Sequence, residues 1–145
     1  MNRMVGIIIT GHGKFASGLK SSIELIVGKQ ENLEAVDFMI NDSIEDLQRK
    51  LKKAIGDVDS GKGIVFFTDI LGGSPFNISV LLSKKIKCSD VIAGSNLPAI
   101  INILFDRNRL SVEEIKNKAL EAGESGIKAF SDQIRSRMKT EINGI

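Results

Sequence analysis

The chain has 145 residues, 42% of them hydrophobic and 26% charged, and its formal net charge is +2. This composition fits one globular domain with a sizeable core, and it argues against a disordered chain, a fibrous repeat or a strongly basic nucleic-acid-binding protein. The apolar runs are too short to span a bilayer, no signal-peptide pattern is present, and the single cysteine permits no intramolecular disulfide. We therefore expect a cytoplasmic protein with no nucleic-acid partner.

Short apolar runs alternate with helical periodicity, which is typical of a parallel sheet covered by helices. Met4–Thr10 is almost entirely apolar, so it predicts a strand buried on both faces, and Leu33–Phe38 alternates and predicts a strand near an edge. A helix is predicted after each strand by its inward residues: Phe15, Leu19, Ile23 and Ile26 with a C-cap at Gly28, then Ile44, Leu47, Leu51 and Ile55 with a capping box of Asp42 and Glu45.

The next apolar run, Gly63–Thr68, predicts a third strand, and it leads into Asp69 and the turn Gly72-Gly73-Ser74-Pro75. A hydroxyl N-cap at Ser74 followed by proline predicts a helix start, with the helix reaching about Lys85. Asp90–Ala93 then predicts a fourth strand, and Gly94-Ser95-Asn96-Leu97-Pro98 opens a further helix that ends near Phe105.

The last part of the chain is predicted to hold one more helix and a strand. Ser111 and Glu114 form a capping box, and Gly123 and Gly126 are expected to interrupt the helix that follows. Ile127–Phe130 is then expected to be a short strand, and the rest is a charged tail. We predict an α/β domain over residues 1–130, an open three-layer sandwich with a four-stranded parallel sheet and helices on both faces, and a tail over residues 131–145.

Three loops are expected to meet at one edge of the sheet, because ligands of open parallel sheets bind beyond the carboxyl ends of the strands. The loops are Gly11-His12-Gly13, Asp69 with Gly72-Gly73-Ser74, and Gly94-Ser95-Asn96. A histidine between glycines is open to a partner's reacting group, and a neutral imidazole is nucleophilic at cytoplasmic pH. A carboxylate such as Asp69 can fix its tautomer and balance the charge that develops on the ring.

The same loops contain groups that suit a phosphate. Backbone N–H groups of glycine turns and a serine hydroxyl at a helix start bind phosphate oxygens, so Gly13, Gly72, Gly73 and Ser74 are the candidates. On spacing alone a second interpretation stays open, in which His12 is a surface turn residue, Asp69 caps a turn and the glycines only start a helix. No dinucleotide fingerprint, P-loop, zinc-hydrolase, paired-cysteine or serine-esterase motif is present.

Taken in order, MVGIIITGHG, TDILGGSPFN and AGSNLP resemble the enzyme IIA components of the mannose family of the bacterial phosphoenolpyruvate:sugar phosphotransferase system. The resemblance covers roughly residues 4–130. It implies that His12 is the phosphorylated histidine, that Asp69 hydrogen-bonds it and that Ser74 lies near the phosphate. It also implies that the phosphocarrier protein HPr donates the phosphoryl group and that a IIB component receives it, with the membrane IIC and IID components acting further along. No metal and no cofactor is implied.

The family further implies a homodimer in which a C-terminal strand pairs antiparallel at the partner's sheet edge, and Gly126–Phe130 matches that strand. Because no Ala/Pro-rich linker follows, we expect the IIB component to be a separate chain. Apolar residues near the predicted site are candidates for a docking surface: Phe15, Ile70, Leu71 and Leu97. The alternatives are the phosphotransferase subunit of dihydroxyacetone kinase, a non-catalytic regulatory module that senses phosphorylation, and a flavodoxin-like binding protein.

Overall fold

The protein is represented by a computed structural model that describes residues 3–137. None of the helices within these residues is long and apolar enough to cross a membrane. In chain order, the elements are β1 (Gly6–His12), α1 (Phe15–Val27), β2 (Leu33–Phe38), α2 (Ile44–Val58), β3 (Ile64–Thr68), α3 (Ser74–Ser83), β4 (Ser89–Ile92), α4 (Leu97–Leu104), a 3-10 turn (Arg107–Arg109), α5 (Val112–Ser125) and α6 (Phe130–Arg137).

The described residues form one four-stranded sheet in the order β2-β1-β3-β4, and every neighbouring pair of strands is parallel. The predicted α/β class, the four parallel strands and the edge position of Leu33–Phe38 are therefore confirmed. The carboxyl ends of β1 and β3 lie side by side, because Thr10 pairs with Thr68 in the register. The loops that follow these two strands thus begin at the same edge of the sheet.

Helices cover both faces of the sheet, as predicted. One apolar cluster joins α1, α4 and α5 to one face, and another joins α2 and α3 to the opposite face. Side chains of β1 alternate between the two clusters, with Ile7 and Ile9 in the first and Ile8 in the second, and all three are fully buried. A strand buried on both faces explains the unbroken apolar run of its sequence.

Two predicted helix starts are wrong by one residue. Helix α2 is capped by Ser43, whose hydroxyl accepts the N–H of Asp46, while the Asp46 carboxylate accepts the N–H of Ser43. Asp42, the predicted cap, instead accepts the Lys50 ammonium at 2.7 Å and the backbone N–H of Met39. Helix α3 is capped by the backbone of Gly73, so Ser74 is its first residue rather than its N-cap.

The predicted interruption of α5 at Gly123 is also wrong, because α5 continues to Ser125. A side chain at Gly123 would meet the Cβ of Ala99 at 3.1 Å, and the Gly123 carbonyl accepts the side-chain amide of Asn96 at 2.9 Å. The glycine therefore allows close packing of α5 on α4 and does not end the helix. The predicted capping box of Ser111 and Glu114 at the start of α5 is confirmed.

The predicted C-terminal edge strand is not found in the described residues. Residues 127–129 belong to no helix or strand, and Phe130 begins α6, which crosses the predicted domain boundary after residue 130. A strand that is exchanged between protomers has its hydrogen-bonding partner on the second chain, so a single chain leaves such a segment unpaired. Of the predicted tail, residues 138–145 lie outside the described part.

A buried arginine hydrogen-bonds to the backbone at the end of the sheet opposite the three loops. Arg107 is 3% exposed, and its guanidinium donates to the backbone carbonyls of Val5, Glu31 and Asn32, which precede β1 and β2. Burial lowers the pKa of Arg107 to about 10, so the group stays charged at neutral pH. The arginine thus satisfies carbonyl groups at the amino ends of two neighbouring strands.

Candidate active site

His12 is the last residue of β1, and its ring is held by Asp69, the first residue after β3. The Nδ1 atom of His12 lies 2.7 Å from Oδ2 of Asp69, and the same oxygen accepts the backbone N–H of His12 at 2.8 Å. The histidine side chain is 51% exposed, whereas that of Asp69 is only 16% exposed. The structure therefore brings together the two predicted catalytic residues, one open to solvent and the other shielded.

The Asp69 carboxylate is held in its charged form. Burial alone raises the pKa of Asp69, but hydrogen bonds from the His12 backbone, the His12 ring and the Ile70 N–H outweigh it and keep the pKa below its usual range. A charged carboxylate only accepts hydrogen bonds, so Nδ1 of a neutral His12 ring is the nitrogen that carries the proton. Its other nitrogen, Nε2, then has a free lone pair.

Two positions around the His12–Asp69 pair require glycine, because a side chain there would collide with neighbouring groups. A Cβ on Gly73 would lie 2.8 Å from the Cε1 atom of His12, the ring carbon between the two nitrogens. A Cβ on Gly11 would lie 2.5 Å from the Phe15 ring and 3.0 Å from the carboxyl carbon of Asp69. The two glycines thus leave room for the His12–Asp69 pair, a use that their spacing in the sequence does not reveal.

The amino end of α3 lies close to the His12 ring, because a Cβ added to its N-cap, Gly73, would lie 2.8 Å from Cε1. The first N–H groups of an α-helix have no intrahelical partner and carry partial positive charge, so they favour a bound anion. Ser74, the predicted phosphate-binding serine, is the half-buried first residue of this helix. It therefore lies one residue from the point where the turn meets the ring.

The glycine N–H groups predicted to bind phosphate have other partners in two of three cases. The N–H of Gly13 donates to the carbonyl of Phe38 at 2.8 Å, and that of Gly73 donates to the carbonyl of Ile70 at 3.2 Å. A phosphate-binding role for these two N–H groups therefore finds no support in the hydrogen bonds. Gly13 and Gly72 have φ angles of 59° and 85°, so both are needed for the shape of their turns.

The third predicted loop, Gly94-Ser95-Asn96, contacts the site only through the backbone of Asp69. Its Gly94 N–H donates to the backbone carbonyl of Asp69 at 3.1 Å, and its Ser95 is buried. Asn96 caps α4 by accepting the N–H of Ala99. The loop therefore positions Asp69 through the backbone and contributes no side chain to the His12 ring.

Two of the four apolar residues predicted as docking candidates are exposed in the loop that carries Asp69. Ile70 and Leu71 are 58% and 73% exposed, whereas Phe15 and Leu97 pack against the core. The sequence reasoning missed the loop after β2, where Ile40 is 97% exposed. It also missed Phe38, whose ring contacts the His12 ring edge-on with 5.9 Å between the centroids. A prediction that β1 pairs with β2 would have placed the end of β2 and the loop after it next to His12.

No group of three or more histidine, cysteine, aspartate or glutamate residues in the described part of the chain is arranged to hold a metal ion. The site within residues 3–137 is therefore a histidine–carboxylate pair beside a helix start. Such a pair has a nucleophilic nitrogen, a counter-charge and an anion-favouring helix end, which together suit transfer of a phosphoryl group.

Residues 6–120 match the protein family described as "PTS system fructose IIA component". The chain belongs to this family. The predicted mannose-family IIA membership is thereby confirmed, and with it the predicted role of a phosphoryl carrier in sugar uptake, which is a phosphotransferase role. The similarity to sugar-system IIA components disfavours the alternatives that were left open.

Individual relatives of this IIA component support the assignment. It is 31% identical over 137 residues to the "PTS system fructose-specific EIIA component" of Bacillus subtilis (strain 168), covering 94% of this chain and 93% of that protein. It is 34% identical over 127 residues to the "PTS system mannose-specific EIIAB component" of Escherichia coli (strain K12), covering 87% of this chain but 39% of that longer protein.

A solved structure confirms the fold. The crystal structure of phosphotransferase system component EIIA from Streptococcus agalactiae superposes with a TM-score of 0.82 at 35% sequence identity, and the match covers 89% of this chain and 99% of that one. The α/β architecture derived from the strands and helices of this IIA component is therefore that of a solved phosphotransferase system EIIA component.

Proposed function

We propose that Nε2 of His12 accepts a phosphoryl group from phosphorylated HPr and passes it to a IIB component of a sugar phosphotransferase system. The observation that carries this proposal is the 2.7 Å contact between Nδ1 of His12 and the Asp69 carboxylate on a half-exposed ring. The contact engages Nδ1, so the nitrogen left to react is Nε2. Family membership supports the class of reaction, and the Nδ1 contact with Asp69 supports Nε2 as the reacting atom.

The transfer step follows from the protonation state of the ring. The Nε2 lone pair of His12 forms a bond to phosphorus, the bond between phosphorus and the donor histidine nitrogen breaks, and its electron pair returns to the donor ring. The Nδ1 proton stays in place, so the phosphorylated His12 ring becomes positively charged. The adjacent Asp69 carboxylate balances that charge, and the partial positive charge at the amino end of α3, which lies close to the ring, favours the negatively charged phosphoryl oxygens.

Both protein partners have to reach the same nitrogen, so they have to use the same surface in turn. Exposed apolar residues on the two flanking loops suit this role, because Ile70 and Leu71 follow β3 and Ile40 follows β2, the two strands that pair with β1. We therefore propose that Ile40, Ile70 and Leu71 form a docking surface for HPr and the IIB component. An apolar surface of this kind adapts to two partners more readily than a fixed set of charges.

The remaining assignments of this IIA component are proposals of the same kind. Segment 127–129 has no strand partner within residues 3–137. Ile127 in this segment and Phe130 directly after it are both exposed, which supports a homodimer joined through the segment. A cytoplasmic location and action upstream of the membrane IIC and IID components follow from the proposed partners. Sedimentation velocity of the wild type and of Ile127→Asp tests the dimer, with a shift to monomer expected for the variant.

The function is tested by reconstituting the donor chain. Incubation with phosphoenolpyruvate, enzyme I and HPr is expected to yield one acid-labile, alkali-stable phosphate per chain, which is the behaviour of a phosphohistidine. Because His12 is the single histidine of the chain, His12→Ala is expected to abolish the label. A chain that takes up no phosphate, or a label that survives His12→Ala, would show that the proposal is wrong.

A further inference from the structure

Phe38 confines the His12 ring on a side that Asp69 and Gly73 leave open. The two residues are register partners in the parallel pairing of β1 with β2, so their side chains leave the same face of the sheet. Their ring centroids are 5.9 Å apart, and the ring planes meet at 62°. The imidazole is thus bounded by a carboxylate at Nδ1, by the Gly73 backbone at Cε1 and by an aromatic ring.

The position of Phe38 is held from both directions along the chain. Its own carbonyl accepts the Gly13 N–H at 2.8 Å. The preceding residue, Asp37, accepts the backbone N–H and the hydroxyl of Ser17 at 2.9 and 2.6 Å. The following residue, Met39, donates its N–H to the Asp42 carboxylate at 2.7 Å.

The Phe38 ring itself packs against the apolar cluster that α2 and α3 form on the sheet. The packing of the Phe38 ring and the hydrogen bonds of both neighbouring residues hold the ring in place. Phe38 therefore limits the rotation of the His12 imidazole on this side like a wall.

We propose that Phe38 is a positioning residue for His12, an inference that rests on the proposed phosphoryl-carrier function. Its ring keeps the imidazole in the rotamer that donates Nδ1–H to Asp69 and directs Nε2 outward. Without this wall, the imidazole of His12 turns away from Asp69 for part of the time. Because the hydrogen bond to Asp69 decides which nitrogen carries the proton, a ring that leaves it exchanges the proton between both nitrogens, and Nε2 is then blocked by a proton in part of the molecules.

The single histidine of the chain makes the tautomer directly measurable, since histidine-selective 15N labelling gives the signals of one ring only. Three variants are compared with the wild type at alkaline pH, where the imidazolium form does not contribute. Phe38→Leu removes the aromatic wall and keeps apolar bulk, and Phe38→Tyr keeps the wall. Phe105→Leu makes the same change at a 76% exposed phenylalanine beside Met4, at the opposite end of β1.

The wild type is expected to show a protonated Nδ1 and an unprotonated Nε2. In Phe38→Leu the two signals are expected to move towards each other, and the rate of phosphoryl uptake at saturating phosphorylated HPr is expected to fall about tenfold, because small misplacements of a reacting atom are costly. Phe38→Tyr and Phe105→Leu are expected to keep the wild-type signals and rate. If circular dichroism shows Phe38→Leu to be unfolded, Phe38→Met takes its place under the same criteria.

The inference requires that Phe38→Leu change both the 15N signals of the His12 ring and the rate of phosphoryl uptake, and a change in only one of them overturns it. Unchanged ring signals with a slower rate would make Phe38 a docking residue, and altered signals with an unchanged rate would make its contact irrelevant to uptake. A Phe38 variant with wild-type signals and rate would overturn it outright. If the wild type accepts no phosphoryl group but its ring signals depend on Phe38, the proposed function fails and the positioning contact stands.

Discussion

One carboxylate oxygen of Asp69 accepts two hydrogen bonds from His12, one from the backbone N–H at 2.8 Å and one from ring Nδ1 at 2.7 Å. The residues are 57 positions apart in the sequence; His12 ends β1, and Asp69 directly follows the neighbouring strand β3. This double contact couples the orientation of the ring to the end of β1, so the sheet itself sets the direction of Nε2.

Removal of the Asp69 charge is expected to slow phosphoryl uptake. In Asp69→Asn the neutral amide no longer selects the Nδ1–H tautomer or balances the charge on the phosphorylated ring, and we expect the rate to fall about 10- to 100-fold, as for other groups that orient a reactive histidine. Rapid-quench measurement of transfer from phosphorylated HPr tests this. The matched control is Asp57→Asn, which removes a carboxylate from an exposed pair with Lys53 and is expected to keep the wild-type rate; equal rates in both variants would contradict the role of Asp69.

The two neighbouring glycines of the β3–α3 turn are expected to respond oppositely to alanine. Gly73 has an ordinary φ of −74°, but its Cβ would meet His12 Cε1 at 2.8 Å, so Gly73→Ala is expected to slow uptake about 100-fold with little loss of stability. Gly72 has a φ of 85° and open space around its Cβ, so Gly72→Ala is expected to cost about 1 kcal/mol of unfolding free energy and little activity. Urea unfolding and rapid-quench kinetics separate the two effects, and the opposite pattern would mean that the ring contact is unimportant.

A polar substitution in the docking surface is expected to affect encounter and not chemistry. In Leu71→Ser we expect the KM for phosphorylated HPr to rise about tenfold, equivalent to about 1.4 kcal/mol of binding, with kcat unchanged. Leu81→Ser is the control, because Leu81 is 50% exposed on α3 but lies two turns beyond the helix start. A changed kcat in Leu71→Ser, or an equal effect in Leu81→Ser, would argue against a docking role.

The Ser43–Asp46 capping box is expected to make stability depend on pH in the acid range. Hydrogen bonds from the Ser43 backbone, the Arg49 side chain and the Ser43 hydroxyl lower the pKa of Asp46 to about 2. A carboxyl whose folded pKa is lowered stabilises the fold fully above its unfolded pKa of about 4, and this stabilisation is lost as the pH falls towards 2.

Asp46→Asn is therefore expected to have a lower urea midpoint than the wild type at pH 7, and the difference is expected to shrink as the pH falls below about 4. Glu45→Gln is the control, since Glu45 lies in the same first turn but makes no cap. A difference between Asp46→Asn and the wild type that stays constant with pH, or that also occurs in Glu45→Gln, would contradict the assignment of the cap.

The strands could be predicted from their apolar sequence pattern, and the His12–Asp69 pair from the rule that the carboxyl ends of neighbouring parallel strands meet. Buried parallel strands are apolar throughout, and the ends of neighbouring parallel strands meet, so His12 and Asp69 were predicted to come together. The N-cap of α2 could not be chosen in this way, because Asp42 with Glu45 and Ser43 with Asp46 have the same capping-box spacing. In the structure Asp42 accepts hydrogen bonds from Lys50 and from the Met39 N–H instead, and the local spacing does not reveal these contacts.

Residues whose roles depend on strand register or helix packing were missed. Phe38 is next to His12 only because β1 pairs with β2 in one register. Gly123 looks like a helix breaker in the sequence, but its missing side chain lets α5 approach Ala99. The C-terminal segment differs from its prediction in another way: Gly126–Phe130 was expected to be a strand, but Gly126 caps the end of α5 and Phe130 begins α6.

The contacts of Arg107 have a consequence for the order of events during synthesis. Its guanidinium reaches the carbonyls of Val5 and Asn32, which are 102 and 75 positions earlier in the chain. Contacts of such long sequence separation form late and slow the folding of a domain. Arg107 has to leave the ribosome before the amino ends of β1 and β2 gain this partner. The strand that ends at His12 is thus translated well before the residue that satisfies the carbonyl group at its amino end.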